Sequence, residues 1–324
     1  MAKIIILGAG SMGTAFSYPC SDNNHDVTII GTHLEDDFID LINSEKKHPI
    51  LDCNIAKNVK FLKLKNLSEE INKKIDLIVV AVVSKGIEWA SLQLSKVLKN
   101  NVPILILTKG LSINNNNYEI LAHKMERILI ENGIKKINIS AAGGPCLAKD
   151  LAKKVHTSVV FANTNINVVN EIKKLVSTDY YHISTTDDVI GVEVCAAIKN
   201  IFSIGIGSTK DLNAAAGLIQ QSIDEMIIFT EKLKGKKETV IGLAGIGDLY
   251  VSADGGRNSK MGKYLGQGLT FQEAKKTKMP NITVEGAELI FEIGSKVKKD
   301  FDETKLPLMI AIINAILKDK KFYE

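Results

Sequence analysis

Short apolar runs alternate with longer amphipathic stretches over the first half of the chain. The apolar runs are rich in Ile, Val and Leu without polar alternation, as expected of strands that are buried on both faces of a parallel sheet. The predicted strands are Lys3–Leu7, Val27–Ile30, Leu77–Val82, Ile104–Leu107, Ile137–Ala141 and Ser158–Phe161. The stretches between them predict helices, for example at 86–99 and 117–131, while four asparagines at 114–117 predict a loop. This alternation predicts βαβ units and a doubly wound parallel sheet in an α/β fold.

The pattern changes near Asp187. Beyond this residue the strand signals fade, and long apolar helical patterns occur at 188–207, 212–233 and 307–317. We therefore predict two domains, a nucleotide-binding domain of Rossmann type at 1–187 and an all-helical domain at 188–324.

The bulk composition excludes several classes of function. The 324 residues carry a net charge of +4, which suits a small anionic ligand and is too weak a signal for nucleic acid. No cysteine lies in a CxxC pair, so we predict no metal or redox site and expect a reducing compartment. We also predict no membrane span, because no apolar run reaches the required length, and we expect a cytoplasmic protein.

A glycine motif follows the first predicted strand. Gly8, Gly10 and Gly13 have G-x-G-x-x-G spacing and open a helical stretch, which is the context of a dinucleotide site. The first glycine allows a tight turn, the second lets the backbone approach a pyrophosphate, and the third lets the helix pack on the sheet. A plain tight turn is the alternative interpretation.

The end of the second predicted strand leaves the cofactor open. NAD sites usually place a carboxylate there to bind the ribose hydroxyls, but this chain has Gly31, Thr32 and His33. This position therefore has neither a carboxylate that would repel the 2′-phosphate of NADP nor an arginine that would bind it. Glu35 could reach back, although a solvated surface acid is the favoured interpretation.

Three charged residues lie in apolar or glycine-rich surroundings. Lys199 interrupts an apolar helix, where it is either a general base with a pKa lowered by desolvation or a side chain that snorkels to the surface. Lys109 follows a predicted strand and either binds a ligand or is solvated. Asp248 follows a glycine-rich turn, where a helix cap is favoured over a site residue.

Arginine is rare in this chain. Only Arg127 and Arg257 occur, and Arg257 lies between Gly256 and Asn258. A guanidinium can hold phosphate through two parallel hydrogen bonds, which a lysine cannot do. The arginine at this position indicates a phosphate site. The alternative is chance, because Arg127 shows that an arginine can also occur on an ordinary predicted helix.

Seven stretches together resemble the NAD(P)-dependent sn-glycerol-3-phosphate dehydrogenase family over nearly the full length. They are GAGSMGTA, LTKGL, GGPCLAKDLA, DVIGVEVCAAIKN, GIGDLYVS, GGRNSKMGKYLGQG and VEGAE, in the family's order and approximate spacing. The resemblance implies a Rossmann domain, then a helical domain similar to that of 6-phosphogluconate dehydrogenase, and a homodimer. It implies reversible hydride transfer between NAD(H) or NADP(H) and C2 of a small phosphorylated substrate, dihydroxyacetone phosphate or sn-glycerol 3-phosphate.

The resemblance also implies roles for single residues. Lys199 matches the catalytic lysine that exchanges a proton with the C2 oxygen, and Lys109 and Asp248 match residues that order this lysine and the substrate. The implied cofactor contacts are Gly8, Gly10, Ser11, Met12, Gly13, Thr32, Lys109, Ala148, Arg257 and Glu285. The implied substrate contacts are Lys109, Gly144, Cys146, Lys199, Asp248 and Ser252, with Gly256, Arg257 and Asn258 as a phosphate clamp.

Departures from the family pattern keep two other functions open. The family's Gly-Pro-(Ser/Thr)-Phe-Ala loop reads GPCLA here, so Cys146 replaces a hydroxyl and Leu147 an aromatic ring. We expect Cys146 to be buried and unreactive. A related hydroxyacid dehydrogenase is opposed by the phosphate clamp. A non-catalytic nucleotide-sensing module is opposed by the retained Lys109, Lys199 and Asp248.

Overall fold

The computed structural model describes residues 1–99 and 101–322. These residues divide into two units. The first comprises Met1–Lys109, Leu121–Ala142 and Cys146–Val189, and the second Gly110–Ile120, Gly143–Pro145 and Ile190–Glu324. The last two residues of the predicted second domain, Tyr323 and Glu324, lie outside the described residues, and the boundary between 187 and 188 stays a prediction.

The strands and helices of the described residues are numbered in chain order. The strands are β1 (Lys3–Leu7), β2 (Asp26–Ile30), β3 (Lys47–His48), β4 (Cys53–Asn54), β5 (Val59–Leu62), β6 (Leu77–Val80), β7 (Pro103–Ile106), β8 (Leu111–Asn114), β9 (Asn117–Ile120), β10 (Asn138–Gly143), β11 (Thr157–Ala162) and β12 (Tyr181–Thr186). The helices are α1 (Ser11–Asp22), α2 (Asp36–Glu45), α3 (Leu67–Ile71), α4 (Ile87–Ser95), α5 (Leu121–Glu131), α6 (Ala148–Ala152), α7 (Ile166–Val176), α8 (Val189–Gly207), α9 (Leu212–Lys232), α10 (Lys237–Val240), α11 (Asp248–Ala253), α12 (Arg257–Gly266), α13 (Phe271–Thr277), α14 (Glu285–Asp300) and α15 (Pro307–Leu317).

An eight-stranded sheet has the order β12-β11-β10-β7-β6-β1-β2-β5. Strand β1 lies between β6 and β2 and pairs in parallel with both, so that Leu7 is level with Val80 on one side and Ile30 on the other. The carboxyl ends of these three strands therefore lie at one edge of the sheet, where ligands bind in open α/β folds. The predicted parallel sheet and Rossmann-type fold are confirmed.

Both faces of β1 are covered. Ile4, Ile5 and Ile6 are all fully buried. Ile4 and Ile6 belong to one apolar cluster with Phe16 of α1 and Phe161 of β11. Because side chains alternate along a strand, Ile5 faces the opposite side of the sheet. The unbroken apolar runs of the sequence reflect this two-sided burial.

The second unit consists of helices α8 to α15 and a β-hairpin. Helix α8 is long and apolar enough to cross a membrane. The expectation that no apolar run reaches that length is therefore wrong for this segment. However, 89% of its most apolar window is buried inside the protein, as is typical of a core helix. From Ile190 to residue 322 the second unit contains only helices and their connections, as predicted. The β-hairpin of this unit was not predicted.

That hairpin corrects one predicted helix. Residues Asn117–Ile120, expected to begin a helix, form β9, which pairs with β8 in antiparallel fashion. Asn115 and Asn116 form the turn with φ values of 48° and 59°. Asparagine tolerates this left-handed region, and a two-residue hairpin turn of type I′ requires positive φ at both positions. The four asparagines therefore specify a tight turn and its flanking strand ends.

Candidate active site

The glycine loop after β1 has the shape of a phosphate cradle. Gly8 has a φ of 112°, and a Cβ there would lie 2.7 Å from the Ala81 carbonyl oxygen. A Cβ at Gly13 would lie 2.2 Å from the Gly8 oxygen, whereas one at Gly10 would meet nothing within 4 Å. Gly10 also precedes α1 without a side-chain cap. The loop is thus closed toward the sheet and open at the helix N-terminus, so the residues present fit a dinucleotide pyrophosphate.

The loop after β2 corrects the interpretation of Glu35. Its Oε2 accepts hydrogen bonds from the Thr32 N–H at 2.7 Å and the Ala9 N–H at 3.2 Å. The expected solvated acid is therefore wrong, and this carboxylate joins two loops at the carboxyl edge of the sheet. Beside it, the His33 ring lies 5.1 Å from the ring of Trp89, centroid to centroid.

Three further predicted site residues belong to the first unit. Lys109 is half-buried and follows β7 at the same edge of the sheet as the glycine loop. Cys146 and Ala148 are half-buried and pack against the apolar cluster of this unit. Cys146 is therefore less buried than expected, and it forms no disulfide. The predicted Gly144 belongs to the second unit, where it has a φ of 107°.

Lys199 is held inside the second unit. Only 6% of the residue is exposed, and its Nζ donates to Asp248 Oδ1 at 2.8 Å and to the Ser252 hydroxyl. The snorkelling interpretation is therefore wrong. A buried ammonium is tolerated because a carboxylate and a hydroxyl accept hydrogen bonds from it. The cluster therefore holds the Lys199 amine, which can donate or accept a proton, away from solvent.

Asp248 reaches Lys199 through an unusual local fold. A π-helical turn at Leu243–Gly247 leads directly into α11, of which Asp248 is the first residue. The helix cap is Gly247, so the favoured capping role of Asp248 is wrong. π-Helical turns often occur at functional sites. The side chain that follows this turn is a carboxylate with 2% exposure.

Arg257 is the first residue of α12. Gly255, with a φ of 91°, and Gly256, which caps the helix without a side chain, precede it. The guanidinium side chain is 58% exposed and pairs with the Glu285 carboxylate at the start of α14. An accessible guanidinium beside an uncapped helix N-terminus favours an anion.

The side chain of Asn258 is buried and bonded within the second unit. It is 5% exposed, and its Nδ2 donates to Asn200 Oδ1 at 2.9 Å. Its own Oδ1 accepts from the Gly286 N–H at 2.9 Å. Because Asn200 adjoins Lys199, this amide joins the lysine cluster to the start of α12.

Close backbone contact fixes α12 against α8. A Cβ on Gly262 would lie 1.9 Å from the Ile204 carbonyl oxygen. We expect Gly262→Ala to lower the free energy of unfolding by about 1–3 kcal/mol, because the helices must separate to admit a methyl group. Chemical denaturation measures this change.

Gly217→Ala is the matched control for Gly262→Ala. A Cβ on Gly217 of α9 would meet nothing within 4 Å. This variant is expected to raise stability by roughly 0.5–1 kcal/mol, because alanine is the better helix former. Equal effects of the two substitutions would contradict the close packing of α8 and α12.

The described part of the chain contains no group of three or more His, Cys, Asp or Glu side chains arranged to hold a metal ion. The clusters around Lys199 and Arg257 contain lysine, carboxylate, hydroxyl, amide and guanidinium groups. These suit proton transfer and anion binding.

Comparison with known proteins places this geometry in a family. Residues 3–169 match a model described as the NAD-dependent glycerol-3-phosphate dehydrogenase N-terminus, and residues 188–324 match the model of its C-terminus. An NADP(+)-dependent glycerol-3-phosphate dehydrogenase of Archaeoglobus fulgidus is 30% identical over 92% of this chain and 91% of its own length. A glycerol-3-phosphate dehydrogenase [NAD(P)+] of Francisella tularensis is 31% identical over 95% and 91%.

Solved structures agree on the fold. The glycerol-3-phosphate dehydrogenase of Coxiella burnetii has a TM-score of 0.85 at 23% identity and covers 99% of this chain and 96% of its own. That of Plasmodium falciparum has a TM-score of 0.88 at 19% identity, with 99% and 93% covered. The two family models together match the glycine loop of the first unit and the buried lysine cluster of the second. The chain therefore belongs to the NAD-dependent glycerol-3-phosphate dehydrogenase family.

Proposed function

We propose that this oxidoreductase interconverts dihydroxyacetone phosphate and sn-glycerol 3-phosphate, with Lys199 as the acid and base. The observation that carries the proposal is the buried Lys199 ammonium, bonded to Asp248 and Ser252. When bound, NAD(H) or NADP(H) supplies or accepts the hydride. The protein supplies binding, orientation and the movement of one proton.

Proton transfer is assigned to Lys199. During reduction, negative charge develops on the C2 oxygen, and the ammonium stabilises this charge and donates a proton to it. During oxidation the amine form accepts the proton of the C2 hydroxyl. Asp248, only 2.8 Å away, holds the lysine in place, and the Ser252 hydroxyl is a second fixed partner. Lys109 is assigned to the substrate oxygens.

Phosphate binding is assigned to the start of α12. Arg257 offers an exposed guanidinium, and the uncapped helix N-terminus offers backbone N–H donors beside Gly256. Asn258 contributes by holding this turn, because both ends of its side-chain amide are bonded inside the unit. Gly144 and Cys146 are assigned to substrate contact by the family resemblance.

Cofactor binding is assigned mainly to the first unit. The open backbone at Gly10 supports a pyrophosphate there, with Ser11 and Met12 in the first turn of α1. The remaining proposed contacts are Gly8, Gly13, Thr32, Lys109, Ala148, Arg257 and Glu285. The division into a cofactor domain at 1–187 and a catalytic domain at 188–324 is part of this proposal.

The product of the forward reaction tests the proposal. The purified protein, dihydroxyacetone phosphate and NADH or NADPH should yield sn-glycerol 3-phosphate, identified by a stereospecific assay. Formation of the mirror-image sn-glycerol 1-phosphate, or of no glycerol phosphate, would contradict the proposal.

Two alternatives are less well supported. A hydroxyacid dehydrogenase of the same fold has no need of an exposed arginine at an uncapped helix start. A nucleotide-sensing module has no need of a buried lysine with two fixed partners. The differences at Cys146 and Leu147 lie in a loop that the proposal assigns to substrate contact, so they bear on substrate affinity.

A homodimer in the cytoplasm completes the proposal. The family resemblance supports a dimer, and four cysteines outside any disulfide support a reducing compartment. Light scattering of the purified protein should give twice the 35.4 kDa mass of one chain.

A further inference from the structure

We propose that Glu35 is a positioning residue, which holds the cofactor loop after β1 against the loop after β2. One carboxylate oxygen, Oε2, accepts both the Ala9 N–H and the Thr32 N–H. Ala9 lies between the two glycines that shape the cradle, and Thr32 lies two residues beyond β2. The inference rests on cofactor binding by the first unit.

The two loops start from neighbouring positions but leave the sheet separately. Leu7 and Ile30 are level at the ends of β1 and β2, and the Gly8 N–H still donates to the Ile30 oxygen at 2.8 Å. Beyond that point the ladder ends, and Glu35 supplies the next link between the loops. Its own N–H donates to the Thr32 oxygen at 3.1 Å, which closes the second loop into a turn.

Loss of the carboxylate would leave two backbone donors without their acceptor. A backbone N–H that loses its partner costs free energy unless water replaces the bond. Water can do so only if the loop moves, because Ala9 is fully buried. The Ala9 carbonyl accepts from the Thr14 hydroxyl of α1 at 3.2 Å, but that bond does not join the loop to the loop after β2. A loop ordered before the ligand arrives binds more tightly, because less conformational entropy is lost on binding. Glu35 therefore raises cofactor affinity without touching the reacting atoms.

The position of Glu35 suggests a competing role as a ribose reader. Among the described residues, no hydrogen-bond donor reaches its second oxygen, Oε1. A carboxylate that accepts from the ribose hydroxyls favours NAD and repels the 2′-phosphate of NADP. A positioning residue instead affects both cofactors alike, so the two roles predict different results.

Calorimetric titration with NADH and with NADPH, without substrate, tests the proposal. Glu35→Ala is expected to raise both dissociation constants by a similar factor, about tenfold. The kcat at saturating cofactor should stay near that of wild type. Glu35→Gln keeps an acceptor oxygen and should recover most of the affinity. Asp36→Ala, which removes an exposed carboxylate from the next residue, should leave both constants unchanged.

Three results would overturn the proposal. Weaker NADH binding with tighter NADPH binding in Glu35→Ala would identify a ribose reader. A lower melting temperature with unchanged dissociation constants would identify a purely structural residue. If the wild-type protein bound neither dinucleotide, the cofactor assignment itself would fail, and this proposal with it.

Discussion

Replacing Lys199 with alanine is expected to lower kcat for dihydroxyacetone phosphate reduction by about 10²–10⁴-fold, the usual contribution of a positioned acid or base. The alkoxide that develops at C2 would lose both its proton donor and the positive charge that stabilises it. Because the lysine is 6% exposed, water does not readily take its place. Steady-state rates, followed by the loss of reduced nicotinamide absorbance, measure the effect.

Two controls accompany this variant. Lys263→Ala removes an exposed lysine from α12 and should leave kcat unchanged. Loss of Lys199 also removes a buried partner of Asp248, so the variant is expected to be less stable than wild type. The dissociation constant of NADH or NADPH for Lys199→Ala, measured by calorimetry, should therefore be compared with that of wild type. We expect the two values to be similar. A wild-type kcat in folded Lys199→Ala would contradict the assigned role.

Replacing Arg257 with lysine is expected to raise the KM for dihydroxyacetone phosphate by about tenfold or more, with a smaller change in kcat. The positive charge is kept, but the planar fork that makes two parallel bonds to phosphate is lost. Initial rates over a range of substrate concentrations give both constants.

The chain offers a matched control for this substitution. Arg127→Lys is the same change at the other arginine, which pairs with Glu131 on the exposed side of α5. It should leave KM unchanged. If Arg257→Lys also left KM unchanged, the start of α12 would not be the phosphate site.

The fold could be predicted where its causes are local in sequence. Strand β1 and the glycine loop are specified by adjacent residues, a buried apolar run followed by glycines, and the structure confirms both. The strand at Asn117–Ile120 was missed, because the only local signal was an asparagine run. Its strand character depends on pairing with β8 through a turn that asparagine permits.

The site was predictable as a set of residue types but not as a set of contacts. Lys199 is conspicuous in an apolar helix, yet its partner Asp248 is 49 residues away, and a π-helical turn brings the two together. Asp248 alone resembles a helix cap. The sequence predicts a surface acid at Glu35, because both of its donors are backbone groups, which leave no trace in the sequence.

The rate of reduced nicotinamide oxidation with dihydroxyacetone phosphate, compared with unphosphorylated dihydroxyacetone and with small 2-oxoacids, tests the central claim most directly. The account predicts rapid oxidation of NADH or NADPH with the phosphorylated ketone and very slow oxidation with the others. Turnover of a 2-oxoacid in preference to dihydroxyacetone phosphate, or tight cofactor binding without turnover of any of them, would contradict it.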